Sequence, residues 1–200
     1  MYPHKPAPIK YSVNDLIKNR WSPRVFADKL IEPEKIMSLF EAARWAPSAR
    51  NEQPWRFVYA AKDNAEHFLE LSNLLTEGNS WAKIAPLLII VYSKRKFAYN
   101  SQENFHALYD AGAAAENLCL EAVNQGLFAH QMAGFDRERA IAESGLQTQD
   151  YLAVTMIAVG YPAAGADIEK LDKRTKESEL AERTRLDLER IAFNGQWLNK

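Results

Sequence analysis

The chain is nearly without cysteine. Cys119 stands alone among 200 residues, which excludes an intrachain disulfide and any multi-cysteine metal site. Histidine is scarce too. His4, His67, His106 and His130 show no zinc spacing such as His-Glu-x-x-His, so no metal is expected. The eight glycines are spread widely and form neither Gly-x-Gly-x-x-Gly nor Gly-x-x-x-x-Gly-Lys-[Ser/Thr]. That argues against a Rossmann dinucleotide site and against a P-loop. The longest apolar run, IAPLLIIVY at 84–92, is far too short to span a bilayer. The opening MYPHKPAPIKYS lacks the apolar core of a signal peptide. Charge of one sign is missing as well: 25 basic residues face 26 acidic ones, net −1. Nothing in that balance calls for nucleic acid or an anionic membrane as partner. The default is a cytoplasmic globular protein.

What is present is apolar substance. At 47% hydrophobic residues the chain can bury a substantial core, and its length suits a single domain over 1–200. Ser12 and Asp15 have capping-box spacing and predict a short helix after Ser12. Pro33 suits the first position of a second helix, in which Ile36, Leu39, Phe40 and Ala43 share a face, and Pro47 should end it. WRFVYAA at 55–61 reads as a strand. Asp63 and Glu66 are set to cap a third helix, with Phe68, Leu71 and Leu75 as its apolar face and Gly78 as its stop. The continuous apolar run at 86–92 predicts a strand covered on both faces. Residues 105–125 form the longest helix. A weaker strand follows at 126–132, then a short helix from Asp136 to Gly145, then a second buried strand at 151–160. Strands alternating with helices predict an α/β or mixed α+β fold with helices on both faces of the sheet. Residues 163–190 are rich in Lys, Glu, Asp and Arg, while IAFNGQWL at 191–198 is apolar again. Such an arm either docks onto a second subunit or folds back on its own chain.

Candidate chemistry is narrowed by elimination. Ser48 lies in no Gly-x-Ser-x-Gly elbow. Cys119, among Leu118, Leu120 and Val123, reads as a small buried apolar residue. In NRWSPR at 19–24, Arg20, Ser22 and Arg24 alternate, so an extended segment aims all three one way and could hold an anion. On this motif alone a solvated loop is the simpler reading. APSARNEQPW, from Ala46 to Trp55, sets five polar side chains between two prolines, bracketed by Trp45 and Trp55. Aromatic walls with convergent amide and hydroxyl groups suit a planar heteroaromatic ligand, although an ordinary helix-to-strand connection uses similar residues. In QMAGFD at 131–136, Gly134 lies between strand and helix, where glycine permits close approach of a ligand or serves a plain turn.

Together these segments resemble the FMN-dependent nitroreductase family over nearly the whole chain. NRWSPR is similar to its Arg-x-Ser-x-Arg/Lys signature, and APSARNEQPWRF to its Ala-Pro-Ser-x-x-Asn-x-Gln-Pro-Trp segment. DAGAAAENLCLEAVNQGL is similar to its small-residue central helix; AGFD followed by IAVGYP at 157–162 resembles the second half of its flavin site. The resemblance implies a central mixed β-sheet flanked by helices, with a C-terminal arm embracing the partner of a homodimer. It implies FMN at the subunit interface, NAD(P)H as donor, and a nitroaromatic, quinone or related small-molecule acceptor in a ping-pong cycle. Flavin, enone or dehalogenating reduction on the same fold, or flavin binding without turnover, are the alternatives. The implied cofactor set is Arg20, Trp21, Ser22, Arg24, Pro47, Ser48, Ala49, Asn51, Gln53, Met132, Ala133, Gly134 and Arg183. Arg20 and Ser22 would bind the ribityl-phosphate end and Arg24 would lie near the pyrimidine edge. Pro47, Ser48, Ala49 and Asn51 would reach in from the other subunit, and the Gly134 N–H would sit near N5. Arg183 would grip the phosphate, with Ala181 where the family commonly has lysine; Ala133 stands where it often has an acid. FMN would carry the chemistry, so no side chain is expected to be catalytic. Gly112, Ala113, Ala114 and Ala115 would let two central helices approach across the dimer.

Overall fold

A computed structural model describes residues 4–197. Helix α1 (Asp15–Asn19) leads to α2 (Pro33–Arg44), which carries its proline at the start as expected. Strand β1 (Trp55–Ala61) and helix α3 (Ala65–Ser72) follow, then β2 (Leu87–Lys94) and α4 (Ala107–Asn124). Strand β3 (Phe128–Met132), helix α5 (Arg137–Glu143) and strand β4 (Tyr151–Gly160) complete the main body. Helices α6 (Gly165–Ile168) and α7 (Lys173–Leu180) begin the tail.

The strands form one sheet in the order β1-β2-β4-β3, and all three pairings are antiparallel. Strand β2 is inside it, and every residue from Leu87 to Ser93 is buried. Alternation of side chains divides that strand between two cores. Leu87, Ile89 and Val91 join Ile157 and Val159 under α2 and α4. Leu88, Ile90 and Tyr92 join Met156 and Ala158 with Leu71 of α3 and Ala140 and Ile141 of α5. The sheet therefore has helices on both faces.

Helix α4 spans 18 residues, about 27 Å at 1.5 Å per residue. Its core face is Ala107, Asp110, Ala111, Ala114, Ala115, Leu118, Cys119 and Ala122. The small side chains let α2 lie close, where Asn117 Nδ2 donates to the Ala42 carbonyl at 3.1 Å. Ala114 and Ala115 are thus used inside the chain, contrary to the expectation that they face a partner; of that quartet only Gly112 is exposed and Ala113 half-buried. The outward face instead presents Leu108 and Tyr109 (77% exposed), with Phe105 (91%) just ahead of the helix.

Several local expectations shift. The cap of α1 is Asn14, whose side chain accepts from the Leu16 N–H, not Ser12. The cap of α3 is Asn64, one residue beyond Asp63. That helix ends at Ser72, and Gly78 lies within a 3-10 segment over Glu77–Ile84. Asp136 caps α5 through the Arg139 N–H, and Gly145 follows in the left-handed region at φ +67, both as expected. Beyond α7 the described tail is almost wholly exposed, with Leu186, Leu188, Ile191 and Trp197 uncovered. The first part of the arm does pack on its own chain, where Ala163 and Ile168 are buried with Val25 and Glu179 is buried; the described residues beyond α7 do not.

Candidate functional site

Residues 20–25 run along β3 at the edge of the sheet. Trp21, Pro23 and Val25 are buried while Arg20, Ser22 and Arg24 are half-buried, which is the alternation expected of an extended segment. The buried set anchors it. Trp21 meets Phe128 edge-on at 5.9 Å, and His130 Nδ1 hydrogen-bonds the Pro23 carbonyl at 2.8 Å. His130 also packs on Trp81 at 4.6 Å. Burial pushes its pKa down to about 4, so its ring is neutral at pH 7.

The side chains on the other face gather charge. Arg20 Nε pairs with Glu116 of α4 at 3.1 Å. Arg183 Nη1 donates to the carbonyls of Lys5 and Lys18 at 2.8 and 2.9 Å, and the nearby Arg20 guanidinium, with burial the larger cause, lowers its pKa. Lys5 Nζ donates to the Glu179 carbonyl at 2.7 Å and stands 4.6 Å from the Trp21 ring centre. Its pKa falls through burial, opposed by Glu179 and aided by Arg183 and Arg24. Arg24 reaches α7, where Nη1 donates to Ser178 Oγ at 2.6 Å and its backbone N–H donates to buried Glu179 at 2.9 Å. Lys5, Arg20, Arg24 and Arg183 thus form one cluster touched by the carboxylates of Glu116 and Glu179. Cations held this close repel, so the arrangement favours an anion.

Further along the same edge, Met132 is buried, Ala133 exposed and Gly134 half-buried. The Gly134 carbonyl accepts three hydrogen bonds: from the Thr76 N–H at 3.2 Å, Thr76 Oγ1 at 3.0 Å and Asn79 Nδ2 at 2.9 Å. A Cβ here would fall 2.6 Å from Asn79 Nδ2 and 2.7 Å from Thr76 Oγ1, which only glycine avoids. The clamp fixes the plane of the Gly134–Phe135 peptide, whose Phe135 N–H donates to the Ala133 carbonyl at 3.2 Å, and so pins the loop at Gly134.

The elbow at 47–53 is a separate construction. Arg50, Asn51 and Gln53 all have φ between 50 and 55. Left-handed backbone at non-glycine residues is costly, and its clustering marks functional loops. The strain is held by contacts. Ser48 Oγ accepts from the Gln53 N–H at 3.0 Å, and Glu52 Oε1 from the Ala98 N–H at 2.7 Å. Asp110, on the core face of α4, accepts from the Ala49 N–H at 3.0 Å. Pro47, Asn51 and Gln53 are left exposed. The aromatic bracket does not exist: Trp55 is a core residue against α4, and Trp45 is 74% exposed with its Nε1 on Glu41.

Lys5, Asp110, Glu116, Glu179, Thr76 and Asn79 escape sequence reading. An acid on the alanine-rich face of α4 is the one visible signal, and it points to Asp110. Cys119 is buried and its thiol is pushed up to about 12 by desolvation, leaving it inert. Among the described residues no group of three or more His, Cys, Asp or Glu side chains could hold a metal. No described helix is long and apolar enough to cross a membrane.

Comparison with known proteins agrees with this layout. A solved structure described as an oxidoreductase containing FMN superposes with a TM-score of 0.88 at 33% identity, covering 96% of each chain. An uncharacterized 15.4 kDa protein from Mycolicibacterium smegmatis is 39% identical over 67% of this chain and 86% of its own. An Archaeoglobus fulgidus relative, provisionally named an NADH dehydrogenase/NAD(P)H nitroreductase, is 27% identical over 80% of this chain and 90% of its own. The sequence profile of the Nitroreductase family matches residues 17–161, and the chain belongs to that family.

Proposed function

We propose that the protein is an FMN-dependent oxidoreductase that draws on NAD(P)H and reduces a nitroaromatic, quinone or related acceptor. The observation that carries this reading is the cluster of Arg20, Arg24 and Arg183 at one end of the β3 edge, with the clamped Gly134 at the other. One phosphate suits the cluster, and the glycine loop that a pyrophosphate uses is absent from the sequence. FMN, when bound, would supply two-electron redox chemistry between NAD(P)H and the acceptor.

The chain's own residues bind and orient. Arg20 and Arg183 hold the phosphate, aided by Ser22, and Trp21 is the buried foot of that segment. Arg24 would supply a permanent cation to the ring, while the Gly134 N–H, flanked by Met132 and Ala133, would offer a donor to its edge. His130 stays neutral and moves no proton. Donor and acceptor occupy the same open side in turn, the basis of a ping-pong cycle.

The site is shared by two copies of the chain. Phe105 just ahead of α4, Leu108 and Tyr109 of α4 and the apolar side chains of the tail are exposed in one copy and suit burial by another. Pro47, Ser48, Ala49, Asn51 and Gln53 of the elbow then edge the partner's ring. The purified protein should be yellow and release FMN, not FAD, on denaturation. A colourless protein that fails to take up micromolar FMN overturns the reading.

A further inference from the structure

We infer that Lys5 is a phosphate ligand of the flavin site, supplied from the N-terminal segment in place of a lysine at position 181. The inference rests on the FMN reading above and concerns this chain's own residues. Position 181 is alanine, so the tail offers Arg183 without a neighbouring ammonium. The structure brings one from 176 residues earlier in the chain, by the difference 181 − 5.

Three contacts place Lys5 in the cluster. Its Nζ donates to the Glu179 carbonyl at 2.7 Å, in the helix whose Ser178 and Glu179 receive Arg24. Its own carbonyl receives Arg183 Nη1 at 2.8 Å, and the same nitrogen holds Lys18 at 2.9 Å, just before Arg20. Its stem lies against Trp21, with the ammonium 4.6 Å from the ring centre. The N-terminal segment is therefore strapped to the cluster by Arg183, and the Ala7 N–H adds a bond to the Lys18 carbonyl at 2.7 Å. An ammonium carries three donors. Among the described residues one is used, on Glu179. A half-buried ammonium beside the guanidiniums of Arg183 and Arg24 is costly: burial first, then those cations, depress its pKa, and the Glu179 carboxylate offsets this only in part. A dianionic phosphate between Lys5, Arg20 and Arg183 removes that cost and accepts the remaining donors.

Riboflavin, which is FMN without its phosphate, isolates the interaction. Apoprotein of wild type, Lys5→Gln and Lys5→Arg would be titrated with FMN and with riboflavin by flavin fluorescence quenching. Lys5→Gln should weaken FMN binding roughly 10- to 100-fold, the range of one hydrogen bond to a charged group. Riboflavin affinity should be unchanged, and Lys5→Arg should recover most of the FMN affinity. If Lys5→Gln keeps the wild-type ratio of FMN to riboflavin affinity, Lys5 does not touch the phosphate. That includes the case in which both affinities fall together, since Lys5 then acts only on the fold. If wild type binds neither flavin, the cofactor reading itself fails, an outcome visible before any variant is made.

Discussion

Gly134→Ala probes the clamp at the end of β3. The new Cβ would lie 2.6 Å from Asn79 Nδ2 and 2.7 Å from Thr76 Oγ1, against an ordinary contact of 3.4–4 Å. Relief requires a shift of about 0.7 Å or more. Both contacted atoms are donors to the Gly134 carbonyl, at 2.9 and 3.0 Å, so moving them away breaks the bonds that hold the peptide. Two such bonds are worth about 1–3 kcal/mol together. For a chain of this size each kcal/mol lowers Tm by about 2–4 °C. Gly134→Ala should therefore lose several degrees in a thermal scan of the apoprotein, and FMN reduction by NAD(P)H should slow because the loop that carries the proposed N–H donor shifts with the broken clamp. Asn79→Ala supplies the control. Alone it removes one hydrogen bond and costs about 1 kcal/mol. Combined with Gly134→Ala it also removes the nearest clashing atom, so the double variant should be more stable than the sum of the single losses by at least 0.5 kcal/mol. Strict additivity in that cycle would refute the clash and with it the claim that Thr76 and Asn79 set the peptide.

Other consequences can be tested separately. Arg24→Ala should lower the two-electron reduction potential of bound FMN and slow its reduction, by about 30 mV for each 1.4 kcal/mol of lost stabilisation; unchanged values in FMN-saturated protein would place Arg24 away from the ring. His130 has its pKa depressed by burial from 6.5 to about 4, so the unfolded chain binds the extra proton. Its contribution is complete above pH 6.5 and lost as pH falls toward 4, up to about 3 kcal/mol; urea titrations of wild type and His130→Gln should differ in slope across that window and run parallel above it. Inactive Arg20→Ala/Arg24→Ala and Asn51→Asp chains, unfolded and refolded together, should return about a quarter of wild-type sites, because random pairing gives half heterodimers with one intact site each. No recovered activity in heterodimers confirmed by mass would put Asn51 in the same copy's site as Arg24.

The parts of the fold legible in sequence are those set by local pattern. The apolar run at 86–92 is a strand with both faces covered, and it is the strand divided between the two cores. WRFVYAA is β1 to the residue. Caps are less legible where several candidates adjoin. Ser12, Asn14 and Asp15 compete at one helix start and Asp63 and Asn64 at the next, and tertiary position decides which side chain turns inward. Trp55 shows a harder limit, since composition cannot say whether an aromatic beside a polar elbow lines a ligand or fills the core. In the site, the alternation of Arg20, Ser22 and Arg24 is readable because it is local. Lys5, Glu179 and the clamp on Gly134 are not, because each joins residues far apart in sequence that only the folded chain brings together.

The geometry of α4 bears on the proposal that two copies share the site. The elbow hangs from Asp110 and Arg20 is held by Glu116, six residues later. In an α-helix that separation is about 9 Å along the axis and about 240° around it. Within α4, Tyr109, Gly112 and Glu116 share the outward stripe, at spacings of three and four residues, whereas Asp110 lies on the core face. The elbow thus lies toward the start of the stripe and the cationic cluster toward its end, on different faces. In one copy the two features therefore face apart around the helix, which supports the proposal that the site is shared between copies. A two-fold pair with α4 helices antiparallel across that stripe brings the start of one beside the end of the other. It covers the exposed aromatics in the same step, with Gly112 at the crossing giving the closest approach. Each elbow would then meet its partner's cluster, and that contact would occur twice in the pair by symmetry. A bulky side chain at position 112 tests this, because nothing lies within 4 Å of a Cβ there in one copy. Gly112→Leu should leave the fold of the single chain intact, shift the protein toward monomer in sedimentation, and cost flavin affinity in proportion. A Gly112→Leu protein that remains dimeric with wild-type FMN affinity would rule out a crossing at that residue.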